Sequence, residues 1–207
     1  MELAQLDELR ERKKVIREQA HANRKAQPDK PQISASICKK FVALPEYAAA
    51  ETVMYYLDVR TEVQTRQELP AALASGKRIV VPFCVDGQLE LFLLTSIDEL
   101  SVGMYKILEP REDLRQVPEH RVDVLELDLI MVPGVAFDRR GGRMGHGFGY
   151  YDKLLERARP DTPLVALAFE CQLFPEIPTQ AHDIFMDKII TESAVYACQG
   201  RGGNSAL

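Results

Sequence analysis

The sequence predicts an α/β fold: a three-layer αβα sandwich around a mostly parallel, Rossmann-like sheet with at least one hairpin. Three observations carry that prediction. The runs 127-LDLIMVPGVAF-137, 163-PLVALAFE-170 and 188-KIITESAVYA-197 are mostly apolar on both alternating faces, and strands buried on both faces need helices covering both sides of their sheet. Stretches of helical periodicity alternate with them. Finally, Asp86-Gly87 separates 77-KRIVVPFCV-85 from 88-QLELFLL-94, a strong signal for a two-residue hairpin turn.

In chain order, residues 2–26 read as a helix with Leu3, Leu6 and Leu9 on one face and a dense charge run that ends before Pro28. A second helix is expected from Gln32 to Leu44. The β-branched and aromatic run 52-TVMYYLDV-59 reads as a buried strand, and the polar stretch after it opens into a helix that ends near Ser75-Gly76, with Pro70 an obstacle inside it. The hairpin strands come next, then the strand 127–137, a helix from about Tyr150 to Arg159 ahead of Pro160, and the strands 163–170 and 188–197. No repeat, low-complexity tract or linker divides the chain. Residues 1–198 are therefore expected to form a single domain, and 199-QGRGGNSAL-207 a disordered tail.

A length of 207 residues suits one α/β domain, and 46% apolar with 28% charged residues is ordinary for a soluble globular protein. The formal net charge of -5 argues against a general nucleic-acid binder. No run approaches the roughly 20 apolar residues of a membrane span, and the charged opening MELAQLDELRERKK is unlike a secretory signal. A cytoplasmic location without a membrane partner is expected. Cys38, Cys84, Cys171 and Cys198 lack C-x-x-C spacing and are read as reduced core residues, in preference to disulfides, zinc ligands or a nucleophile.

The chemistry concentrates in 141-GGRMGHGFGYYDKLL-155, where five glycines fall within nine residues immediately before a helix. Glycines admit positive φ and leave backbone N–H groups open to close approach, while a helix start adds unpaired donors and partial positive charge. Phosphate is the natural guest. Arg143 is suited to a bidentate grip on phosphate oxygens, and Asp152 to a magnesium ion accompanying a nucleotide. Gly145, Gly147 and Gly149 nevertheless spell G-x-G-x-G, which is neither a Walker loop nor the G-x-G-x-x-G of dinucleotide enzymes. A flexible connector, with Arg143 a surface charge and Asp152 a helix-start carboxylate, is the plain alternative.

The longer segment 131-MVPGVAFDRRGGRMGHGFGYYDKLL-155 resembles the signature of the 5-formyltetrahydrofolate cyclo-ligases, approximately V-P-G-x-A-F-D followed by R-[LM]-G-x-G-x-G-Y-Y-D. Further segments match in order: 13-KKVIR-17, 57-LDVRTEVQT-65, 105-YKILEP-110 and 182-HDIFMDKIITE-192. The resemblance implies ATP-dependent conversion of 5-formyltetrahydrofolate to 5,10-methenyltetrahydrofolate, with magnesium, and its small-molecule folate substrate and ATP as partners; the sequence itself does not fix an oligomeric state, and a monomer is the working expectation. A non-catalytic folate or nucleotide binder on the same scaffold is the alternative.

By that resemblance Arg143, Gly145, His146, Gly147, Gly149, Tyr150 and Tyr151 would cradle ATP, with Lys13, Lys14 and Arg17 reaching its phosphates and Arg143 also serving catalysis. Lys13 and Arg17 are four apart, on one helix face. Glu62 would bind the pterin, whose amino group and adjacent ring N–H suit a carboxylate. Leu57, Tyr105 and Glu109 would complete the folate site. Asp152 and Asp183 would hold magnesium, and His182 is read as structural. His146 stands where some relatives carry Lys or Arg and others an aromatic residue, so a permanent charge is absent there.

Overall fold

The computed structural model describes residues 2–103, 107–180 and 183–201, and side chains from Asp7 onward. Tyr105, His182 and the side chains of Leu3 and Leu6 lie outside the described residues, as do residues 202–207. The chain opens with three helices, α1 (Glu2–Ala26), α2 (Lys30–Val42) and α3 (Pro45–Ala49). Strand β1 (Thr52–Met54), helix α4 (Leu69–Ala74), strands β2 (Arg78–Val85) and β3 (Gln88–Leu94), and the short pair β4 (Leu100–Val102) and β5 (Leu108–Pro110) come after them. Then come β6 (Leu129–Val132), β7 (Ala136–Asp138), β8 (Arg143–Met144), α5 (Tyr150–Arg157), β9 (Leu164–Leu167), β10 (Leu173–Phe174), β11 (Lys188–Ile190) and β12 (Val195–Ala197).

Seven strands form the main sheet in the order β12-β11-β9-β6-β1-β2-β3. The interior pairs are parallel, while β3 and β12 run antiparallel at the two edges. Each central strand sends alternate residues to opposite cores. Leu129 and Met131 of β6 join Ile37, Phe41 and Leu69 beneath α2 and α4. Ile130 and Val132 join Leu154 and Leu155 of α5 on the other face. That alternation is the αβα sandwich expected from the two-faced apolar runs.

The edge hairpin forms at Asp86-Gly87, both in the left-handed region at φ 48° and 76°, with Val85 opposite Gln88. A second hairpin divides the run 188–197, expected to be one strand. The Thr191 hydroxyl accepts from the N–H groups of Ser193 and Ala194, each at 3.2 Å, and turns β11 back into β12. The run 127–137 is likewise two strands. Gly134 lies at the break, where a side chain is excluded because a Cβ would lie 2.4 Å from the Phe137 ring. Beyond the break β7 leaves the main sheet and lies between β10 and β8.

The run 52–59 also departs from expectation, since its ladder is confined to β1 and the buried chain continues irregularly to Asp58. There the Asp58 carboxylate accepts from the N–H groups of Thr65 and Arg66, both at 2.9 Å, and closes the loop between them. Pro70 is no obstacle to α4: it occupies the first turn, where a missing N–H costs no helical bond. Of the cysteines only Cys38 is core. Cys84, near the end of β2, is exposed, Cys171 and Cys198 are half-buried, and all four are free thiols. Arg201 donates to the carbonyls of Ala158, Arg159 and Thr162, which places it at the C-terminal end of α5. Among the described residues no helix is long and apolar enough to cross a membrane.

Candidate active site

A cavity of about 390 Å³ opens where parallel strands β1, β2 and β6 end. That position, beyond the carboxyl ends of an open α/β sheet, is where such sheets hold ligands, and the volume suits a small molecule. Each strand contributes the residues that succeed or finish it: Tyr56 and Leu57 after β1, Pro82 to Cys84 in β2, and Pro133 and Gly134 after β6. The β4–β5 pair adds Ile107, Leu108 and Glu109, and the glycine stretch closes the opposite wall from Arg143 to Asp152.

The glycine wall has a defined shape. Gly147 and Gly149 adopt φ values of 102° and 70°, a region where side chains other than glycine's are strained. Gly149 is the residue preceding α5, so the helix points its first turn of N–H groups toward the cavity wall. The carbonyl of Gly145 accepts from Arg17 Nε at 3.0 Å, which pins the stretch to α1. Phe148 is 70% exposed at the lip and stacks on Tyr150 with centroids 5.5 Å apart.

Arg143 lies at the base of this wall, its side chain only 3% exposed. Nη1 donates to the Pro133 carbonyl at 3.3 Å, Nη2 is ion-paired with Asp152, and Nε is buried without a hydrogen-bond partner. A planar cation so fixed presents directed donors to an incoming anion. The face of Tyr151 lies 5.8 Å from its centre.

Glu62 occupies the facing wall, nearly buried. Its Oε2 accepts from the Val59 N–H at 3.0 Å, while Oε1 lies 3.5 Å from His146 Nε2 and 3.9 Å from Arg24 Nη1. His146 thus joins the glycine wall to the carboxylate wall, and its ring stacks on His21 at 5.5 Å. Desolvation lowers the pKa of His21, helped by the nearby Arg24, His146 and Arg60 charges and opposed by Glu62. Tyr56, fully buried and donating to the Val63 carbonyl at 3.0 Å, is pushed well above the ordinary phenol pKa, chiefly by burial, and stays neutral.

The structure therefore gathers Leu57, Glu62, Glu109, Arg143, Gly145, His146, Gly149, Tyr150, Tyr151 and Asp152 around one cavity. Glu109 is held by Arg115 at 2.9 Å. Lys13, Lys14, Arg17, Gly147 and Asp183 are not among the described residues that line it. Lys13 pairs with Asp183 at 3.4 Å, and Lys14 is exposed beside Glu11 at 3.6 Å. Sequence reasoning missed Arg24, Arg60, Phe83 and Cys84, which do line the cavity. Arg24 was legible in principle, because it continues the 3–4-residue spacing of Lys13, Arg17 and Ala20 along the docked face of α1.

Likeness to known proteins identifies the family. A profile described as the 5-formyltetrahydrofolate cyclo-ligase family matches residues 6–192. A "Probable 5-formyltetrahydrofolate cyclo-ligase" of Schizosaccharomyces pombe is 31% identical over 176 residues, covering 78% of this chain and 85% of that protein. The 5-formyltetrahydrofolate cyclo-ligase of Escherichia coli K12 is 30% identical over 161 residues, covering 76% and 86%. Among solved structures, the Aquifex aeolicus 5,10-methenyltetrahydrofolate synthetase superimposes with a TM-score of 0.77 at 31% identity, covering 89% of this chain and 92% of that one. This chain belongs to the 5-formyltetrahydrofolate cyclo-ligase family.

Proposed function

We propose that the chain catalyses the ATP-dependent cyclisation of 5-formyltetrahydrofolate to 5,10-methenyltetrahydrofolate, releasing ADP and phosphate, as a cytoplasmic monomer. The observation that carries this reading is a single cavity whose two walls suit the two reactants. On one side stand the glycine stretch, the start of α5 and the fixed Arg143 cation, a setting for a triphosphate. On the other stands Glu62, whose Oε1 has only a long contact to His146 Nε2 at 3.5 Å and a more distant one to Arg24 Nη1 at 3.9 Å among the described residues, leaving it able to accept from the pterin amino group and ring N–H.

The chemistry needs both. A formyl amide is a poor electrophile, and its oxygen would otherwise have to leave as hydroxide. In our reading the formyl oxygen attacks the γ-phosphorus and ADP departs. N10 then adds to the activated carbon and loses its proton, the C–O bond breaks, and phosphate leaves. Arg143, with Nε unpaired and Nη1 held by the Pro133 carbonyl, stabilises charge on the transferring group and costs little reorganisation. Tyr56 and Leu57 supply apolar wall against the ring system.

Magnesium fits at Asp152. No group of three His, Cys, Asp or Glu residues among the described residues forms a cage, but magnesium that arrives with a nucleotide needs only one or two carboxylates beside phosphate oxygens and waters. Asp152 stands on the cavity wall with its side chain 36% exposed. When bound there, the ion would neutralise phosphate charge. Asp183, tied to Lys13 and accepting from the Gln180 N–H at 2.7 Å, is a less direct second ligand.

The test is a coupled assay with 5-formyltetrahydrofolate, ATP and magnesium, following the near-ultraviolet absorbance of the methenyl product and the ADP released. Product formation above a protein-free control is expected. Its absence rejects the reading, and binding of both ligands without ADP release identifies a non-catalytic binder instead.

A further inference from the structure

Arg24 is the largest of the fully buried side chains, 2% exposed at the foot of the cavity. A buried guanidinium is costly to desolvate unless its donors are satisfied. Here Nε donates to Thr61 Oγ1 at 2.9 Å and Nη1 to the Gly134 carbonyl at 3.3 Å. Those two bonds join α1 to the loop that carries Glu62 and to the break after β6. The third contact differs in kind: Nη1 stands 3.9 Å from Glu62 Oε1, within ion-pair range and beyond hydrogen-bond range.

That separation has a chemical meaning. At a contact distance near 2.8 Å the arginine would occupy a lone pair of the carboxylate and compete with any ligand donor. Held back by Thr61 and Gly134, it supplies compensating charge to a nearly buried anion and leaves Oε1, which otherwise has a 3.5 Å contact to His146 Nε2 at the glycine wall, open to a ligand donor from the cavity side. Glu62 Oε2 is already committed to the Val59 N–H, so Oε1 is the oxygen whose availability matters.

We infer that Arg24 is a positioning residue for the folate half of the reaction, holding Glu62 oriented and charge-compensated from beneath without consuming its ligand-facing oxygen. The inference rests on the reading of Glu62 as the pterin-binding carboxylate. It assigns Arg24 a role through Glu62, and none toward the nucleotide.

A double-mutant cycle tests it. Arg24→Met, Glu62→Gln and the combined variant are compared for folate KM, ATP KM and kcat. Arg24→Met should raise folate KM about tenfold, the loss of one charge-assisted interaction, with ATP KM within about twofold of the parent. The combined variant should have the folate KM of Glu62→Gln alone, because without the carboxylate Arg24 has nothing to position. Multiplication of the two single effects would overturn the inference and leave the Glu62 reading intact. An unchanged folate KM in Glu62→Gln would overturn both.

Two milder variants guard against a failure of Arg24→Met to fold. Thr61→Val keeps the arginine but removes the hydroxyl that holds Nε, and should raise folate KM about threefold. Arg24→Lys retains the charge and should recover part of the loss. Folate KM at the parent value in both would refute the positioning role.

Discussion

Replacing Arg143 by lysine separates charge from geometry at the base of the glycine wall. The guanidinium bridges two fixed acceptors, the Pro133 carbonyl at 3.3 Å from Nη1 and the Asp152 carboxylate at Nη2, with its side chain only 3% exposed. A lysine ammonium is a single point and can reach one of them. Asp152 is 36% exposed on its side chain, so water softens the loss of the pair, and the structural cost should be about 1 kcal/mol. For a chain of this size that corresponds to a fall in Tm of about 2–4 °C. The catalytic cost should be larger, because donors aimed at developing charge are worth about 2.7–4 kcal/mol, or about 10²–10³ in kcat. Folate KM should move little. The near-ultraviolet assay measures turnover, and differential scanning fluorimetry measures Tm. A variant that keeps kcat within about threefold of the parent would show that position and not fork geometry is what the wall requires, and would refute the argument.

Three other outcomes are expected from the geometry. Gly149→Ala adds a methyl with nothing within 4 Å at φ +70°, so only backbone strain of about 1 kcal/mol is expected, whereas Gly134→Ala drives a methyl to 2.4 Å from the Phe137 ring and should lower Tm clearly more; equal Tm values would contradict this ordering. Cys84 is exposed on the cavity wall, while burial pushes the thiol of Cys38 up to about 12 and that of Cys198 to about 11. A thiol reagent should therefore label Cys84 first and more slowly with folate bound, and fast labelling that survives Cys84→Ser would count against it. His21 is held below its ordinary pKa by desolvation and neighbouring cations. As pH falls through about 6.5 the unfolded chain takes the proton before the folded one, so stability drops below that pH and is unaffected above it. His21→Gln should flatten the fall in Tm between about pH 7.5 and 5.5, and parallel curves for the two proteins would exclude the effect.

The layered architecture was legible because it is written in periodicity. Leu129, Ile130, Met131 and Val132 are apolar in succession, and that pattern has few folded solutions other than a sheet covered twice. The breaks were not legible, because their causes are specific side-chain contacts two or three residues apart that apolar periodicity does not encode. The ring that forces glycine at position 134 belongs to Phe137, and the Thr191 hydroxyl that turns β11 into β12 acts on two later N–H groups. Asp138 reads as a motif acid, yet it is fully buried and accepts from the N–H groups of Arg140, Gly142 and Ile177. At the site, glycine spacing marked the anion wall well. Arg24 stayed hidden because a basic residue in a charged helix looks solvated until the segments around Thr61 and Gly134 fold over it.

Helix α1 is the earliest element of the chain and among the most dependent on distant, later-made segments. Asn23 donates at 3.0 Å to the carbonyl of Cys171, 148 residues onward, and Arg17 to that of Gly145, 128 onward. During synthesis the helix must therefore wait until the segments around Gly145 and Cys171 have been made before it can dock. Its composition makes that delay safe, since ten of the nineteen residues in ELRERKKVIREQAHANRKA are charged and offer a nascent neighbour little greasy surface to stick to. The same basic side chains that later grip the glycine stretch and flank Glu62 thus keep the undocked helix soluble, so catalytic competence should appear only after the segments around Gly145 and Cys171 have been made.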